Sequence, residues 1–301
     1  MLATFRLFIL LFFAIGLVKP TLFAQSKGDS LRIRFRNYTI KKFPKAVNGD
    51  YYAKVFDEDR EVYQVSAEKP SHIQFVAINN KATYDINQDS VYNFIFQVYT
   101  SDDPSYFTWY ILHLGRQDFK VLDEIKSDYT TPWLSDFDKD GIYEIVLDDY
   151  TFRNWNASLR ESPVVSVVLK LGEEGYRLAP EVMQAKELHV NPDDADIVRE
   201  VMQEFYDKSS TTYPNTVKIV GGNPDERWGF IPSRLWINMF RLVYMGKARE
   251  AYDFLGRAWY EGIEGKEVFW QDFLHQFQKS PYWSEIEAMN EWPVSKPGGQ
   301  E

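Results

Sequence analysis

The sequence predicts an α+β protein in which antiparallel β repeats come first and an α-helical region follows. Two observations carry the β half. An acidic turn running into a strand occurs twice without a gap, as "DINQDSVYNFIFQVY" at 85–99 and "DFDKDGIYEIVLDDY" at 136–150, an offset of 51. A hairpin pattern then follows each copy, "ILHLGRQDFKVLD" at 111–123 and "VLKLGEEGYRLAP" at 168–180, an offset of 57. The helical half rests on a third observation: from about residue 184 apolar residues recur at three- and four-residue spacing instead of alternating.

The first 25 residues read as a signal peptide. Arg6 precedes an unbroken apolar run from Leu7 to Val18, Lys19 and Pro20 close the run, and small-residue cleavage options lie near Ala24 and Gln25. The run is about a dozen residues, short of the roughly 20 that a spanning helix needs. The expectation is an exported protein, periplasmic or extracellular and bacterial, with no transmembrane segment after signal cleavage. The chain has no cysteine, so neither disulfides nor a lipidated N-terminal cysteine contribute. Its net charge of −10, with lysines and arginines scattered among acids, excludes a nucleic-acid partner.

Within the β-rich region, 26–183, Asp85, Asp89, Tyr92 and Tyr99 match Asp136, Asp140, Tyr143 and Tyr150. Leu112, Leu114 and Gly115 match Leu169, Leu171 and Gly172. Alternating apolar residues on both sides of a polar turn, as in Phe119 and Val121 or Tyr176 and Leu178, make each downstream copy a β-hairpin. "YYAKVFDEDREVYQVS" at 51–66 is a fainter third hairpin. The repeat unit is therefore an acidic loop, a strand, a variable connection and a hairpin. Units of this length, made of short strands, are on the scale of a propeller blade, but the region holds about three where a ring needs at least four.

In the α-helical region, 184–290, Asn191 or Asp193 caps a helix whose first turn contains Pro192, and Ile197, Val201, Met202 and Phe205 share one face. After the turn-rich stretch 209–229, Ser233 caps "RLWINMFRLVYMG", Gly246 ends it, and "KAREAYDFLGRAWYEG" and "KEVFWQDFLHQFQKS" supply two further helices. Ala248, Ala251 and Ala258 sit at close-packing spacings, as in a single helical hairpin. The aromatic turn "DERWGFIPSRLW" at 225–236 either docks the helices on the sheet or binds a ligand. Residues 291–301 read as a flexible tail.

Chemistry concentrates in the second acidic loop. Asp136, Asp138 and Asp140 occupy positions 1, 3 and 5 of a tight turn, Gly141 permits the turn, and the carbonyl of Ile142 and the carboxylate of Glu144 complete an oxygen-rich set that suits calcium. An EF-hand requires a bidentate glutamate at position 12, where this chain has Leu147, and a strand follows instead of a helix. The pattern D-x-D-x-D-G-x-x-[DE] before an apolar strand resembles the FG-GAP or VCBS-type repeats of secreted and surface proteins. That resemblance implies a β-propeller-blade-like setting and a structural Ca²⁺ at Asp136, Asp138, Asp140, Ile142 and Glu144. In the upstream copy Asn87 and Asn93 replace acids and Ser90 replaces the glycine, so Asp85, Asn87, Asp89, Val91 (through its carbonyl) and Asn93 either hold an ion weakly or, as the favoured reading, preserve the turn through hydrogen bonds.

Enzyme signatures are absent: no G-x-S-x-G, no H-E-x-x-H, no phosphate loop and no nucleophilic cysteine. His72, His113, His189 and His275 lack metal-ligand spacing. The leading expectation is an exported, non-catalytic, calcium-binding interaction or structural module with a protein partner. Its rival is a carbohydrate-active protein, stacking sugars on Trp109, Trp133 or Trp155 and drawing carboxylates from residues such as Asp148, Asp149 and Glu161.

Overall fold

The structure is a computed structural model that describes residues 32–43, 51–67, 71–76, 83–100, 105–115, 118–186, 188–212, 228 and 230–293. The signal peptide, most of the turn-rich stretch before Trp228 and the tail beyond Pro293 lie outside the described residues. Antiparallel sheets and helices make it a mixed α+β protein, and among the described residues every strand precedes every helix and no sheet closes on itself. No helix among them is long and apolar enough to cross a membrane. The chain forms two compact units, Met1–Pro70 and Ser71–Glu301.

The first unit is an antiparallel meander of β1 (Arg32–Phe35), β2 (Tyr38–Phe43), β3 (Tyr51–Asp57) and β4 (Arg60–Ala67). Alternation puts Ala53 and Val55 of β3 out of solvent, along with Val65 of β4, while Tyr38, Thr39 and Ile40 are buried in succession in β2. The hairpin expected at 51–66 is β3–β4, with Glu58 at positive φ in its tight turn.

The second unit contains two sheets of matching topology. In one, β5 (Ser71–Phe75) and the short β6 (Thr83–Tyr84) both pair with β7 (Asn93–Thr100), followed by β8 (Tyr106–Leu114) and β9 (Phe119–Asp128). The other runs β10 (Trp133–Ser135), β11 (Glu144–Asp149), β12 (Val165–Gly172) and β13 (Gly175–Leu178) in that order. Thus β6 to β9 and β10 to β13 are two four-stranded meanders, each with its acidic loop between the first and second strands. The hairpins expected at 111–123 and 168–180 are β8–β9 and β12–β13. Continuous burial along Phe94–Phe96 and Ile145–Leu147 shows that the strand after each loop is covered on both faces.

The helices begin at Pro180 with α1 (Pro180–Ala185), which straddles the boundary expected at 183, and continue through α2 (Asp194–Thr212), α3 (Arg234–Tyr244), α4 (Ala248–Ala258), α5 (Lys266–Phe277) and α6 (Trp283–Met289). Gly246 ends α3 at φ +74°, the left-handed conformation that favours glycine after a helix. Ser233 does precede α3, but its side chain makes no capping hydrogen bond. In α2 the buried stripe is Ala195, Val198 and Met202, while Ile197 and Val201 are exposed and leave the face expected of them. Ala248, Ala251 and Ala258 are fully buried, which lets α4 pack closely against its neighbours.

The connection between β11 and β12 joins sheet to helices. Phe152 and Trp155 drop from it into the helical core, Phe152 lying 4.9 to 5.1 Å from Phe240, Phe273 and Phe277 and Trp155 5.6 Å from Trp236. Trp228 completes the join, so of the two readings of the aromatic turn its tryptophan takes the docking one. Its backbone N–H donates to Asn156 Oδ1 at 3.0 Å and its indole N–H to Asp272 Oδ2 at 2.8 Å. Helices α1 and α3 rest against β12, an interior strand of that sheet.

Candidate functional site

The 136–144 loop starts where β10 ends and finishes on the first residue of β11. Lys139 and Gly141 adopt positive φ, 60° and 84°, which curls the backbone tightly enough for four acids to face one another. Each acid uses one oxygen to hold the turn: Gly141 N–H donates to Asp136 Oδ2 at 3.1 Å, Asp140 N–H to Asp138 Oδ1 at 3.3 Å, Ile142 N–H to Asp140 Oδ1 at 2.8 Å and Phe137 N–H to Glu144 Oε2 at 2.8 Å. The second oxygen of each is then left to a cation. Ligand atoms of Asp136, Asp138 and Glu144 all lie within 4.8 Å of one another. Asp136 Oδ1 and Glu144 Oε1 are buried and have no hydrogen-bond partner.

A basic side chain that the loop motif does not contain reaches into this group. Lys170, on β12, places Nζ 2.6 Å from Asp138 Oδ2, 2.7 Å from Asp140 Oδ2 and 3.8 Å from Glu144 Oε1. The register brings it there, since Ile145 pairs with Leu169 and Lys170 follows beside Glu144. The electrostatics match the geometry. Burial pushes the Glu144 carboxyl above its ordinary value and Asp138 adds to this, while the Phe137 N–H and Lys170 oppose it. Hydrogen bonding to Lys170, then the Ile142 N–H, holds Asp140 below its ordinary value, and bonds to Asp138 and Asp140 raise Lys170.

Of the five expected ligands, the structure gathers Asp136, Asp138 and Glu144; it turns the Asp140 carboxylate to Lys170 and leaves Ile142 half-buried in the turn. The donors are hard oxygens, two of them buried and unpartnered, and a set of this chemistry suits a calcium-like cation.

The 85–93 loop repeats this skeleton at an offset of 51. Ser90 N–H donates to Asp85 Oδ2 at 2.9 Å, Val91 N–H to Asp89 Oδ1 at 2.8 Å and Ile86 N–H to Asn93 Oδ1 at 3.0 Å, each the counterpart of a bond in the second loop. Gln88 and Ser90 adopt positive φ where Lys139 and Gly141 do. The hydrogen-bonded turn expected here is present, and Asn87 Nδ2 adds a bond to Asp89 Oδ2 at 2.8 Å. Asp85 Oδ1 and Asn87 Oδ1 are nevertheless buried without a hydrogen-bond partner. The buried His113, which the hairpin offset of 57 aligns with Lys170, holds Nδ1 3.5 Å from Asp89 Oδ2. The loops also touch: Tyr143 N–H donates to Ile86 O at 2.8 Å, and Gln88 Nε2 donates to Asp140 O at 2.8 Å while lying over Gly141.

The three tryptophans proposed for sugar stacking do not line a common surface. Trp109 and Trp155 are buried, the former donating to Gln97 Oε1 at 2.9 Å, whereas Trp133 is 52% exposed and stands 5.7 Å from the ring of Phe137 at the loop's rim. Of the suggested carboxylates, Asp148 accepts from Ser166 Oγ at 2.7 Å, Asp149 is buried in a hydrogen-bonded cluster, and the exposed Glu161 accepts from Ser158 Oγ at 3.0 Å. No family model matches the chain, and neither a curated protein nor a solved structure matches it.

Proposed function

We propose that the protein is an exported, non-catalytic module whose 136–144 loop takes a calcium ion that braces the β repeats, while the helical region meets a protein partner in the cell envelope or exterior. The observation that carries this reading is Glu144. It is 0% exposed, yet Oε1 has no hydrogen-bond partner and lies among the carboxylates of Asp136 and Asp138. Withdrawing an ionised carboxylate from water is unfavourable by several kcal/mol unless a cation and further polar contacts offset it. The two matching meanders, each opened by such a loop, agree with the FG-GAP or VCBS-type resemblance and with blade-like repeats that stop short of a ring.

Calcium modules of this kind outside cells bind at about 10⁻⁴ to 10⁻³ M. At 10 mM calcium, mass action then adds about 1.4–2.7 kcal/mol of stability. For a unit of this size the gain corresponds to a melting temperature about 3–11 °C higher. Calorimetry of the mature protein with and without calcium tests this, with Asp138→Ala as the control expected to lose the shift. A wild type indifferent to calcium, or an equal shift in both proteins, rules the site out.

The carbohydrate-active reading retains one observation in its favour, the exposed Trp133 beside Phe137. Aromatic faces of that kind can stack on sugars. A glycan array without hits removes it.

A further inference from the structure

We infer that Lys170 is a built-in counter-ion which calcium must displace, so that the 136–144 loop alternates between a lysine-seated and a calcium-seated state and Lys170 sets the calcium concentration at which it switches. This inference rests on the calcium reading above.

Calcium binds oxygens at about 2.3–2.6 Å. Lys170 Nζ stands 2.6 and 2.7 Å from the Asp138 and Asp140 oxygens not used by the backbone. The ammonium thus occupies the side of the loop that a metal ion needs, and two cations cannot share those oxygens at such distances without strong repulsion. Lysine is suited to leaving: its charge sits on a flexible four-carbon stem, and 23% of this side chain already reaches solvent.

One ammonium does not satisfy the loop. It bonds Asp138 and Asp140 but stays 3.8 Å from Glu144 Oε1, and Asp136 Oδ1 has no hydrogen-bond partner. Calcium takes six to eight oxygens and can engage the oxygens that lysine leaves aside. The lysine-seated loop is therefore folded but incompletely neutralised. That is the condition for displacement by a divalent ion, and it gives the β sheet a formed loop in the absence of calcium.

The first loop provides an internal comparison. At the position of Glu144 it has Asn93, and at the position of Lys170 it has His113, 3.5 Å from Asp89. The weaker acid set is matched by the weaker base on the adjoining strand. The basic residue thus belongs to the repeat's own charge balance and is not an incidental surface pair.

Calcium titration by calorimetry of wild type, Lys170→Met and Lys170→Arg tests the inference, with Asp138→Ala as the non-binding control. Lys170→Met is expected to bind calcium at least 10-fold more tightly than wild type and to melt lower without calcium, whereas Lys170→Arg keeps the weak affinity. A second measurement needs no variant: reductive methylation of the wild type, read by mass spectrometry, should label Lys170 faster when calcium is added. If wild type binds calcium but Lys170→Met binds no better and Lys170 labelling is unchanged, the counter-ion inference is wrong and the calcium site stands. If neither wild type nor Lys170→Met binds calcium, both fail together.

Discussion

The seam between sheet and helices can be tested by removing one oxygen atom. Asp149 ends β11 as a buried carboxylate that accepts from the Tyr244 hydroxyl on α3, from Ser280 Oγ at 2.9 Å, and from Thr151 N–H at 2.7 Å and Oγ1 at 2.5 Å. Tyr244 is fully buried, and burial, reinforced by Asp149, pushes its phenol well above the ordinary value of 10, so it is a proton donor at neutral pH. Tyr244→Phe removes that donor and keeps the ring, which packs 5.0 Å from Phe240 and 5.7 Å from Phe277. Hydrogen bonds to charged groups contribute about 1.5–3 kcal/mol. For a unit running from Ser71 to Glu301, that is a melting temperature about 3–12 °C lower. Urea unfolding followed by tryptophan fluorescence should show a lower midpoint at an unchanged slope, because the surface exposed on unfolding is the same. A loss below about 0.5 kcal/mol would refute the reasoning, since Thr151 and Ser280 would then suffice for the carboxylate and α3 would not be tied to β11 through it.

Two further outcomes follow from the same structure. Gly141→Ala puts a Cβ at φ +84° and 1.4 Å from Gln88 Nε2, so the residue is strained and the Gln88 bond to Asp140 O is lost. A loss of about 1–2 kcal/mol in urea is expected, and a neutral result contradicts the loop geometry. The second concerns alkaline pH. Burial raises the phenols of Tyr84, Tyr176 and Tyr244, so above pH 10 the folded chain keeps protons that the unfolded chain releases, and stability falls as pH rises. Tyr176 and Tyr244 each contribute up to about 1.4 kcal/mol per pH unit, and Tyr84 less because solvent screens it. Lys170, raised by Asp138 and Asp140, acts in the same direction above its ordinary 10.5. Urea midpoints unchanged between pH 9 and 11.5 would overturn these assignments.

Helices α3, α4 and α5 were legible because each carries its own apolar stripe and Gly246 marks a stop that glycine makes cheaply. Shorter elements left no such trace. In α1 only Met183 is buried and in α6 only Ile286, so tertiary contacts define them and no periodicity can build up in six or seven residues. The face of α2 was misjudged for another reason. A reading that follows bulky residues selects Ile197 and Val201, whereas close packing selected the small Ala195 in register with Val198 and Met202. In the acidic loop, spacing located the ligands, because residues two apart in a tight turn converge whatever surrounds them. It could not locate Lys170, which arrives from 26 residues beyond Glu144 through strand pairing. The signal was present in the hairpin alignment, where the lysine stands opposite His113, but only the register turns that alignment into a contact.

The change of offset from 51 to 57 has a structural meaning. The second repeat carries six more residues than the first between its acidic strand and its hairpin, and that longer connection delivers Phe152, Trp155 and Asn156 to the helices. The repeat that kept its acids, its glycine and a lysine is therefore also the one to which the helical region is fastened. Strand β11 joins the two features. Glu144 begins it at the acidic loop and Asp149 ends it at the helix seam, about 17 Å away along an extended strand. Both ends of that strand are buried, Glu144 at 0% and Asp149 at 4% exposure. On the calcium reading, an ion held by Asp136, Asp138 and Glu144 fixes the start of the strand whose end, Asp149, accepts from Tyr244 and Ser280.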